Sequence, residues 1–430
     1  MLDIKWIREH GKLVQTVADQ KGIAVSIEEL LVWDETKRKL LQEVEHLRQT
    51  RNKLALDMSI CVKTEELEMA EVLKKQGRDL HEQLSTLETE LANTEQQFNK
   101  VMMLVPNIVS PDTPFGRSDA DNKEVRREGE PFSFPFELKD HLQLGTLHNM
   151  IDISRGVKTA GARNYYLKGA GVFLHRAVQQ MALDLLVNRG FTLYEVPLMV
   201  RTEALMNTGF FPTGEDQTYR ITGEDKWLVG TSEVPLIACF SNEVVDVSEP
   251  IRLASVSTCF RSEVGSAGKD VHGLYRVHQF AKVEQVVLCE GAVEKSEQLL
   301  QEITQNAEDL LQALELPYRV MAVCTGDMSQ KTYKQFDIET WMPSRKAYGE
   351  THSSSNLLDF QARRSQIRYR AADGKLRYCH TLNNTAVASP RILIPLLENH
   401  QEEDGSIRIP KALRPYMNGI ECLESETGKA

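Results

Sequence analysis

The sequence predicts an α+β protein in which an N-terminal antiparallel two-helix coiled-coil arm precedes an antiparallel sheet flanked by helices. Two stretches with heptad spacing in roughly the first hundred residues predict the arm. From about residue 220 onward, strand-like runs dominate and helical segments separate them, an arrangement typical of α+β folds. No GxGxxG or GxxxxGK[ST] motif occurs, which disfavours the parallel-sheet nucleotide-binding folds.

The arm is predicted from two narrow apolar seams. Residues 27–62 follow a helix-capping serine, Ser26, and a second helix reaches residue 98 after a turn near residues 60–68. Most positions outside the seams are polar, so the helix pair should project into solvent. The seams comprise Trp33, Leu40, Val44, Leu47, Leu54 and Met58 in the first helix, and Leu73, Gly77, Leu80, Leu84, Leu87, Leu91, Thr94 and Phe98 in the second.

Composition narrows the class of protein. A chain of 430 residues, 41% hydrophobic and 26% charged, predicts two domains with ordinary globular cores. No apolar run of about 18 residues and no leader-like N-terminus occur, so we expect a cytoplasmic protein without a membrane segment. The seven cysteines are scattered without a CxxC pair, which favours reduced thiols over a zinc site. The net charge of −11 counts mildly against a nucleic-acid partner unless basic residues cluster.

Residues 255–288 predict a long β-hairpin with polar groups on one face. Because side chains alternate along a strand, one face of the return run should carry cations, an aromatic ring and a carboxylate. Guanidinium groups beside a flat ring suit a nucleoside triphosphate. An ordinary hairpin with a solvated outer face fits the pattern equally well. The predicted polar face holds Arg276, His278, Phe280, Lys282 and Glu284 on the return run, with Arg261 and Glu263 on the outgoing run.

Four segments in order carry a resemblance to a known family. They read FRSEVGSAGKDVHGLYRVHQFAKVE at 260–284, TSE at 231–233, PSRKAYGETHSSSNLLDFQARR at 343–364 and HTLNNTAVASPR at 380–391. Together they resemble the motifs of class II aminoacyl-tRNA synthetases in the form used by seryl-tRNA synthetases, and they cover most of residues 100–418.

The resemblance implies a domain plan and an assembly. Residues 1–108 become a tRNA-binding coiled-coil arm domain, 109–420 the class II catalytic domain and 421–430 a C-terminal tail. A helix predicted over 172–189, with the strand FTLYEVPLMV after it, is similar to the first class II motif and implies a homodimer. Pro197 in that strand is equally well explained as the end of a strand.

For ATP, the resemblance implies a site of cations, an aromatic ring and polar side chains. Arg261 and Arg391 would clamp the phosphates, Glu263 would contact the adenine and Phe280 would stack on it. Glu350, with Arg261 and Arg391, is assigned to catalysis, and Glu350 with Ser353 to Mg²⁺, a cation that prefers oxygen ligands. Outside the resemblance, Glu350 reads as an ordinary exposed glutamate. The implied ATP-binding set is Arg261, Ser262, Glu263, Arg276, Phe280, Glu350, Thr351, His352, Ser353 and Arg391.

For L-serine, the resemblance implies a pocket of carboxylates and hydroxyls. A carboxylate suits the ammonium group, and hydroxyl partners discriminate against analogues that lack the side-chain hydroxyl. Thr385 stands where the family commonly has serine. The implied serine-binding set is Thr231, Ser232, Glu233, Glu284 and Thr385.

Several residues depart from the family's usual pattern. His352 stands where serine is common, Asn384 replaces a glycine, and Ser389-Pro390 precedes the motif arginine where glycine is common. Pro395 should interrupt a helix predicted over 387–400, because its ring crowds the carbonyl of Arg391 and it lacks the N–H that would bond there.

The implied activity is ATP-dependent ligation of serine to tRNA(Ser), bound through the arm, and the family also serves the selenocysteine tRNA. Two rival interpretations stay open at this point. The first is a paralogue that activates an amino acid for a carrier protein, although such relatives lack the long arm. The second is a non-enzymatic coiled-coil regulator, which the retained charged motif residues argue against.

Overall fold

The computed structural model describes residues 1–264 and 272–425. The chain divides into two compact units, one of Asp3–Pro106 and one of Met1–Leu2 with Asn107–Ala430. Among the described residues, no helix combines the length and the apolar character needed to cross a membrane.

The smaller unit contains three helices, α1 (Ile4–Gln20), α2 (Ile27–Lys63) and α3 (Leu67–Met102). The predicted two-helix arm is confirmed as α2 and α3, which pack against each other along their length. Ser26 caps α2, with its side chain accepting a hydrogen bond from the Glu29 backbone N–H. The capping signal therefore located the start of the arm correctly, whereas α1 was not predicted.

The predicted seams form the contact between α2 and α3. Val44, Leu80 and Leu84 are buried at its centre. Leu47, Leu54, Leu87 and Leu91 pack around them, as the spacing of 3 and 4 requires. Burial of the apolar side chains along this stripe holds the two helices together.

The larger unit is built on an eight-stranded sheet with the strand order β1-β10-β11-β12-β15-β9-β8-β4. All neighbours are antiparallel except β4 and β8, which run parallel. The strands are β1 Lys123–Glu128, β2 Ile151–Asp152, β3 Tyr166–Leu167, β4 Thr192–Leu193, β5 Met199–Val200, β6 Trp227–Leu228, β7 Val244–Val245, β8 Ile251–Phe260, β9 Gln279–Cys289, β10 Tyr318–Ala322, β11 Lys334–Met342, β12 Ala347–Asn356, β13 Arg368–Arg370, β14 Leu376–Tyr378, β15 His380–Ser389, β16 Ile407–Arg408 and β17 Cys422–Leu423.

Helices cover both faces of this sheet. On one face, α6 and α9 share a large core with Val283 and Val287 of β9. On the other face, α8 and α10 share a smaller core with Val286 and Leu288 of the same strand. The helices of this unit are α4 His141–Leu147, α5 Ile153–Ala160, α6 Ala170–Asn188, α7 Thr202–Asn207, α8 Glu233–Ala238, α9 Val293–Ala313, α10 Phe360–Ser365 and α11 Leu393–Asn399.

The strand predicted after α6 is wrong in extent. The helix ends as predicted, with Gly190 following it at a φ of +79°. The stretch FTLYEVPLMV then forms only β4 and β5, which belong to different sheets. Pro197 lies between these two short strands. A residue outside a strand does not need a backbone N–H to pair with a neighbouring strand, so proline is tolerated there.

The helix predicted over 387–400 is also wrong at its start. Residues up to Ser389 belong to β15, and α11 begins only at Leu393. Pro395 therefore lies in the first turn, where a helical N–H has no partner within the helix, and no kink is needed. The carbonyl of Arg391 accepts a hydrogen bond from the backbone N–H of Ile394, three residues on.

The predicted polar face of the hairpin is only partly strand. The return strand β9 begins at Gln279, so Arg276 and His278 precede it and do not follow its alternation. The outgoing strand β8 ends at Phe260, and Glu263 has a φ of +51°. Phe280, Lys282 and Glu284 do share one face, because they lie inside β9.

Candidate active site

A cavity of about 310 Å³ opens on the sheet face that also carries α8 and α10. Its floor is formed by β9, β12 and β15, and its rim by segments that follow β6 and β8 and precede β11. The predicted site residues that line it are Thr231, Glu233, Arg261, Glu263, Phe280, Glu284, Glu350, Thr351, His352, Ser353, Thr385 and Arg391.

Three predicted residues lie beside the cavity instead of in its wall. Ser262 donates its hydroxyl to the backbone carbonyl of Asp216 at 2.6 Å. The Arg276 guanidinium lies 3.4 Å from the Glu263 carboxylate. Ser232 is fully buried at the start of α8.

One end of the cavity presents two guanidinium groups. Arg261 lies over the Phe280 ring, with 5.2 Å between the guanidinium carbon and the ring centroid. Arg391 lies 4.5 Å over the Tyr275 ring, and its Nε donates to the Tyr275 carbonyl at 3.0 Å. Stacking on a ring fixes the plane of each guanidinium while leaving donors free to point into the cavity. This end suits phosphate oxygens.

Two β-bulges let neighbouring residues face this cavity together. Between β11 and β12 the register shifts so that Thr351 is the extra residue between Glu350 and His352. Because a bulge breaks the alternation of the strand, Glu350, Thr351, His352 and Ser353 all line the cavity. A second shift lies directly after Thr385 in β15.

Side chains with oxygen atoms of β12 line the cavity. The Glu350 carboxylate is nearly half exposed, at 45% of its side-chain surface, and Ser353 lines the same cavity. Asp337 pairs with Ser353 across the sheet, and its pKa is raised by burial and by the neighbouring Glu350 charge. Across the described ranges, no group of three or more His, Cys, Asp or Glu side chains is arranged to hold a metal by itself.

His352 is accommodated as a neutral, buried side chain. It is 2% exposed, and its Nδ1 lies 2.8 Å from the Thr351 hydroxyl. Burial lowers the pKa of His352 to about 3, so the imidazole carries no charge near neutral pH. The histidine at this position therefore brings bulk to the cavity wall without adding a cation.

The other end of the cavity holds two buried carboxylates, each paired with a lysine. Lys282 Nζ lies 2.6 Å from Glu284 Oε2, and Thr385 Oγ1 donates to the same oxygen at 3.5 Å. Lys331 Nζ lies 2.6 Å from Glu233 Oε1. Burial raises the pKa of Glu284 and lowers that of Lys331. Sequence reasoning placed Lys282 on this face without a role and missed Lys331, which belongs to no motif.

The Asn384 side chain lies on the face of β15 away from the cavity, where it makes hydrogen bonds. Gln285 Nε2 donates to Asn384 Oδ1 at 2.5 Å, and Asn306 Nδ2 of α9 donates to Gln285 Oε1 at 2.6 Å. Arg189 bonds Asn306, and Asn384 bonds the Ser354 hydroxyl. This buried chain of hydrogen bonds lies directly beneath Glu284 and Thr385, the strand neighbours of Gln285 and Asn384.

The comparisons with known proteins agree with this geometry. The family model of the seryl-tRNA synthetase N-terminal domain matches residues 1–109. The model of the tRNA synthetase class II core domain (G, H, P, S and T) matches residues 218–400.

Relatives and solved structures extend the match to nearly the whole chain. The serine–tRNA ligase of Deinococcus radiodurans is 45% identical over 98% of this chain and 99% of its own length. That of Rubrobacter xylanophilus is 39% identical over 97% and 98%. The seryl-tRNA synthetase of Pyrococcus horikoshii complexed with ATP superposes with a TM-score of 0.91, at 37% identity over 99% of this chain and 100% of that one. The chain therefore belongs to the seryl-tRNA synthetase family.

Proposed function

We propose that this protein is a serine–tRNA ligase that activates L-serine with ATP and transfers it to the 3′ end of tRNA(Ser). The observation that carries the proposal is a single cavity with two stacked guanidinium groups at one end and buried carboxylates with hydroxyls at the other. Phosphate and a small polar amino acid would meet between these two ends.

Activation requires positioning and charge neutralisation more than a protein nucleophile. A serine carboxylate oxygen attacks the α-phosphorus of ATP, and pyrophosphate leaves with the bonding electron pair. Arg261 and Arg391 would neutralise charge on the phosphate oxygens, and adenine would stack on the face of Phe280; the stacked guanidinium groups support this assignment. Glu263 is assigned to the adenine edge.

Mg²⁺ fits the carboxylate of Glu350 and the hydroxyl of Ser353, which are oxygen ligands of the kind a hard cation prefers. When bound with ATP, the ion would offset negative charge on the phosphates. The Glu350 carboxylate lies 3.6 Å from Arg391 Nη1, so these two residues would meet the phosphates side by side.

The serine pocket is assigned to Thr231, Glu233, Glu284 and Thr385. Carboxylates there accept from the ammonium group, and the buried polar groups would stay unpaired against an amino acid without a hydroxyl. In the second step the 3′-terminal ribose hydroxyl of the tRNA attacks the serine carbonyl, and AMP leaves.

The arm is assigned to tRNA, because exposed basic residues such as Arg51, Lys53 and Lys75 occur along α2 and α3. Residues 1–108 then act in tRNA binding and 109–420 in catalysis, with cytoplasmic translation as the setting. Transfer to a carrier protein, the rival activity, is disfavoured because its enzymes lack such an arm.

We propose that the protein forms a homodimer through a surface made by residues of α6 and β4 and the residue after β4. Large apolar side chains are exposed there, although an isolated chain normally buries such residues. They are Val172, Phe173, Val187, Leu193 and Tyr194.

Amino-acid-dependent exchange of pyrophosphate into ATP tests the proposed function. Serine should support exchange, whereas alanine, cysteine and threonine should each be lower by about a hundredfold or more, because the site's polar groups lose a partner or meet extra bulk. Equal exchange with alanine would contradict a pocket that recognises the hydroxyl.

A further inference from the structure

We propose that Lys331 is a positioning residue of the amino-acid pocket, acting by holding the Glu233 carboxylate in place for the substrate. The inference rests on the proposed activation of serine. Lys331 lies outside every motif through which the family was recognised.

Contacts around the Lys331 ammonium group and the Glu233 carboxylate support this role. Lys331 Nζ lies 2.6 Å from Glu233 Oε1 and 3.7 Å over the centroid of the Phe210 ring. Gln361 Nε2 of α10 donates to the same carboxylate oxygen at 2.7 Å. One oxygen of Glu233 is therefore bound by the protein from two sides, and among the described residues no hydrogen bond is made to the other, which a ligand in the cavity could use.

The position of Lys331 is set by packing as well as by charge. Its side chain is 10% exposed. A Cβ built at Gly209 would lie only 3.3 Å from Lys331 Cβ, so the backbone at Gly209 closely approaches this lysine. Phe210, the next residue, places its ring against the ammonium group. An ammonium group held by these contacts restrains its carboxylate partner. If either group rotated away, the other would remain as a buried charge without a partner.

The charges that face Glu233 come from two parts of the chain. Lys331 approaches from the segment before β11, while Lys282 and Glu284 approach from β9. Two cations and two carboxylates thus balance at this end of the cavity. Without Lys331, the Glu233 carboxylate would face the Glu284 charge with one cation fewer and would lose the contact that fixes its orientation toward the substrate.

The test compares Lys331→Met, Lys331→Arg and Lys334→Met in serine-dependent pyrophosphate exchange. Methionine keeps the length of the stem and removes the charge. Lys334 is the matched control, because it is 14% exposed and paired with Asp112 and Glu297, which do not line the cavity.

In Lys331→Met the KM for serine should rise by about tenfold to a hundredfold, the value of a charge-assisted hydrogen bond, with the KM for ATP changed by less than about twofold. Lys331→Arg should stay within about threefold of the parent chain, and Lys334→Met should leave both KM values unchanged.

A Lys331→Met chain with the parent's serine KM overturns the inference, as does an equal rise in both KM values. Should that chain not fold, Lys331→Gln takes its place with the same expectations. In a Glu233→Gln background, removing the lysine charge should add no further loss, and an additive loss would show that Lys331 does not act through Glu233. A parent chain that fails to activate serine overturns the proposed function itself.

Discussion

Arg391 is held in place by several contacts with its own chain. It stacks on the Tyr275 ring, donates to the Tyr275 carbonyl, and donates from Nη1 to the Glu350 carbonyl at 3.2 Å. Lysine at this position would keep the charge but lose the planar fork that makes these contacts. We expect Arg391→Lys to lower the exchange rate by about a hundredfold or more, the usual cost of removing a donor aimed at developing charge.

The matched control is Arg345→Lys. The Arg345 guanidinium also lies over the Tyr275 ring, with 4.3 Å between its carbon and the ring centroid, but Arg345 does not line the cavity. The exchange rate of Arg345→Lys should differ from that of the parent chain by less than about threefold. Equal losses in the two variants would mean that Arg391 acts by supporting Tyr275 and not by binding phosphate.

His400 should make the stability of the protein fall with acid. Its Nε2 donates to the Leu314 carbonyl at 2.8 Å, and its Nδ1 accepts from Arg408 at 3.0 Å. Burial lowers the pKa of His400 to about 4, so the fold favours the neutral ring. Stability from this group is complete above the unfolded pKa near 6.5 and is lost as pH falls toward 4, by roughly 3 kcal/mol.

His400→Gln can make the same two hydrogen bonds and does not titrate. Urea unfolding at a series of pH values should therefore give a shallower loss of stability between pH 6.5 and 4 for this variant. Parallel curves for the two chains would refute the assignment.

At this scale the sequence was informative where side-chain chemistry is tied to a motif. Arg261, Phe280 and Glu284 were predicted from residue type and alternation along a strand, and the structure gathers them in one cavity. Lys331 and Gln361 were missed, because they reach Glu233 from segments distant in the chain whose approach depends on tertiary packing.

The start of α11 explains why Pro395 is tolerated. The helix begins at Leu393, so the proline occupies the third helical position, whose N–H would be unpaired in any case. We expect Pro395→Ala to change the free energy of unfolding by less than about 1 kcal/mol. Denaturant titration measures this.

Gln180→Pro provides the contrast, since Gln180 is exposed in the interior of α6. It should cost about 3 kcal/mol or more through one lost hydrogen bond and a steric clash. A similar cost for Pro395→Ala would mean that the ring of Pro395 is needed for packing.

Elements with a long, regular pattern were predictable and short irregular ones were not. The heptad spacing of α2 and α3 fixes their pairing, because no other arrangement buries both stripes. The bulge at Thr351 has no signature in the sequence, since it depends on how β11 and β12 align. The helix boundary near residue 390 was wrong because apolar strand and helix residues look alike over short runs.

The division into two units predicts that activation and tRNA charging can be separated. All residues lining the candidate active site lie in the larger unit. Deleting residues 35–98 and joining the ends with a short turn should leave serine-dependent exchange within about threefold and remove nearly all charging of tRNA(Ser), because binding energy to the nucleic acid comes from charged contacts.

The two activities are measured on the same preparation, with the full chain as reference. Loss of both together would contradict the assignment of the arm to tRNA alone. For the whole molecule, the order of the motifs predicted the catalytic fold correctly. Helix α1 was not predicted, because a single helix has no second helix with matching apolar spacing in the sequence.

The hydrogen-bonded chain from Arg189 through Asn306, Gln285 and Asn384 to Ser354 constrains how the sequence can diverge. Glycine at position 384 alone would leave the buried Gln285 amide without its hydrogen-bond acceptor. An apolar residue at position 285 alone would leave the buried Asn306 amide without its acceptor. These positions are thus expected to change as a set, because each single step passes through an intermediate with an unpaired buried group. Residues grafted singly from a glycine-bearing relative should be less well tolerated than the whole set transferred at once.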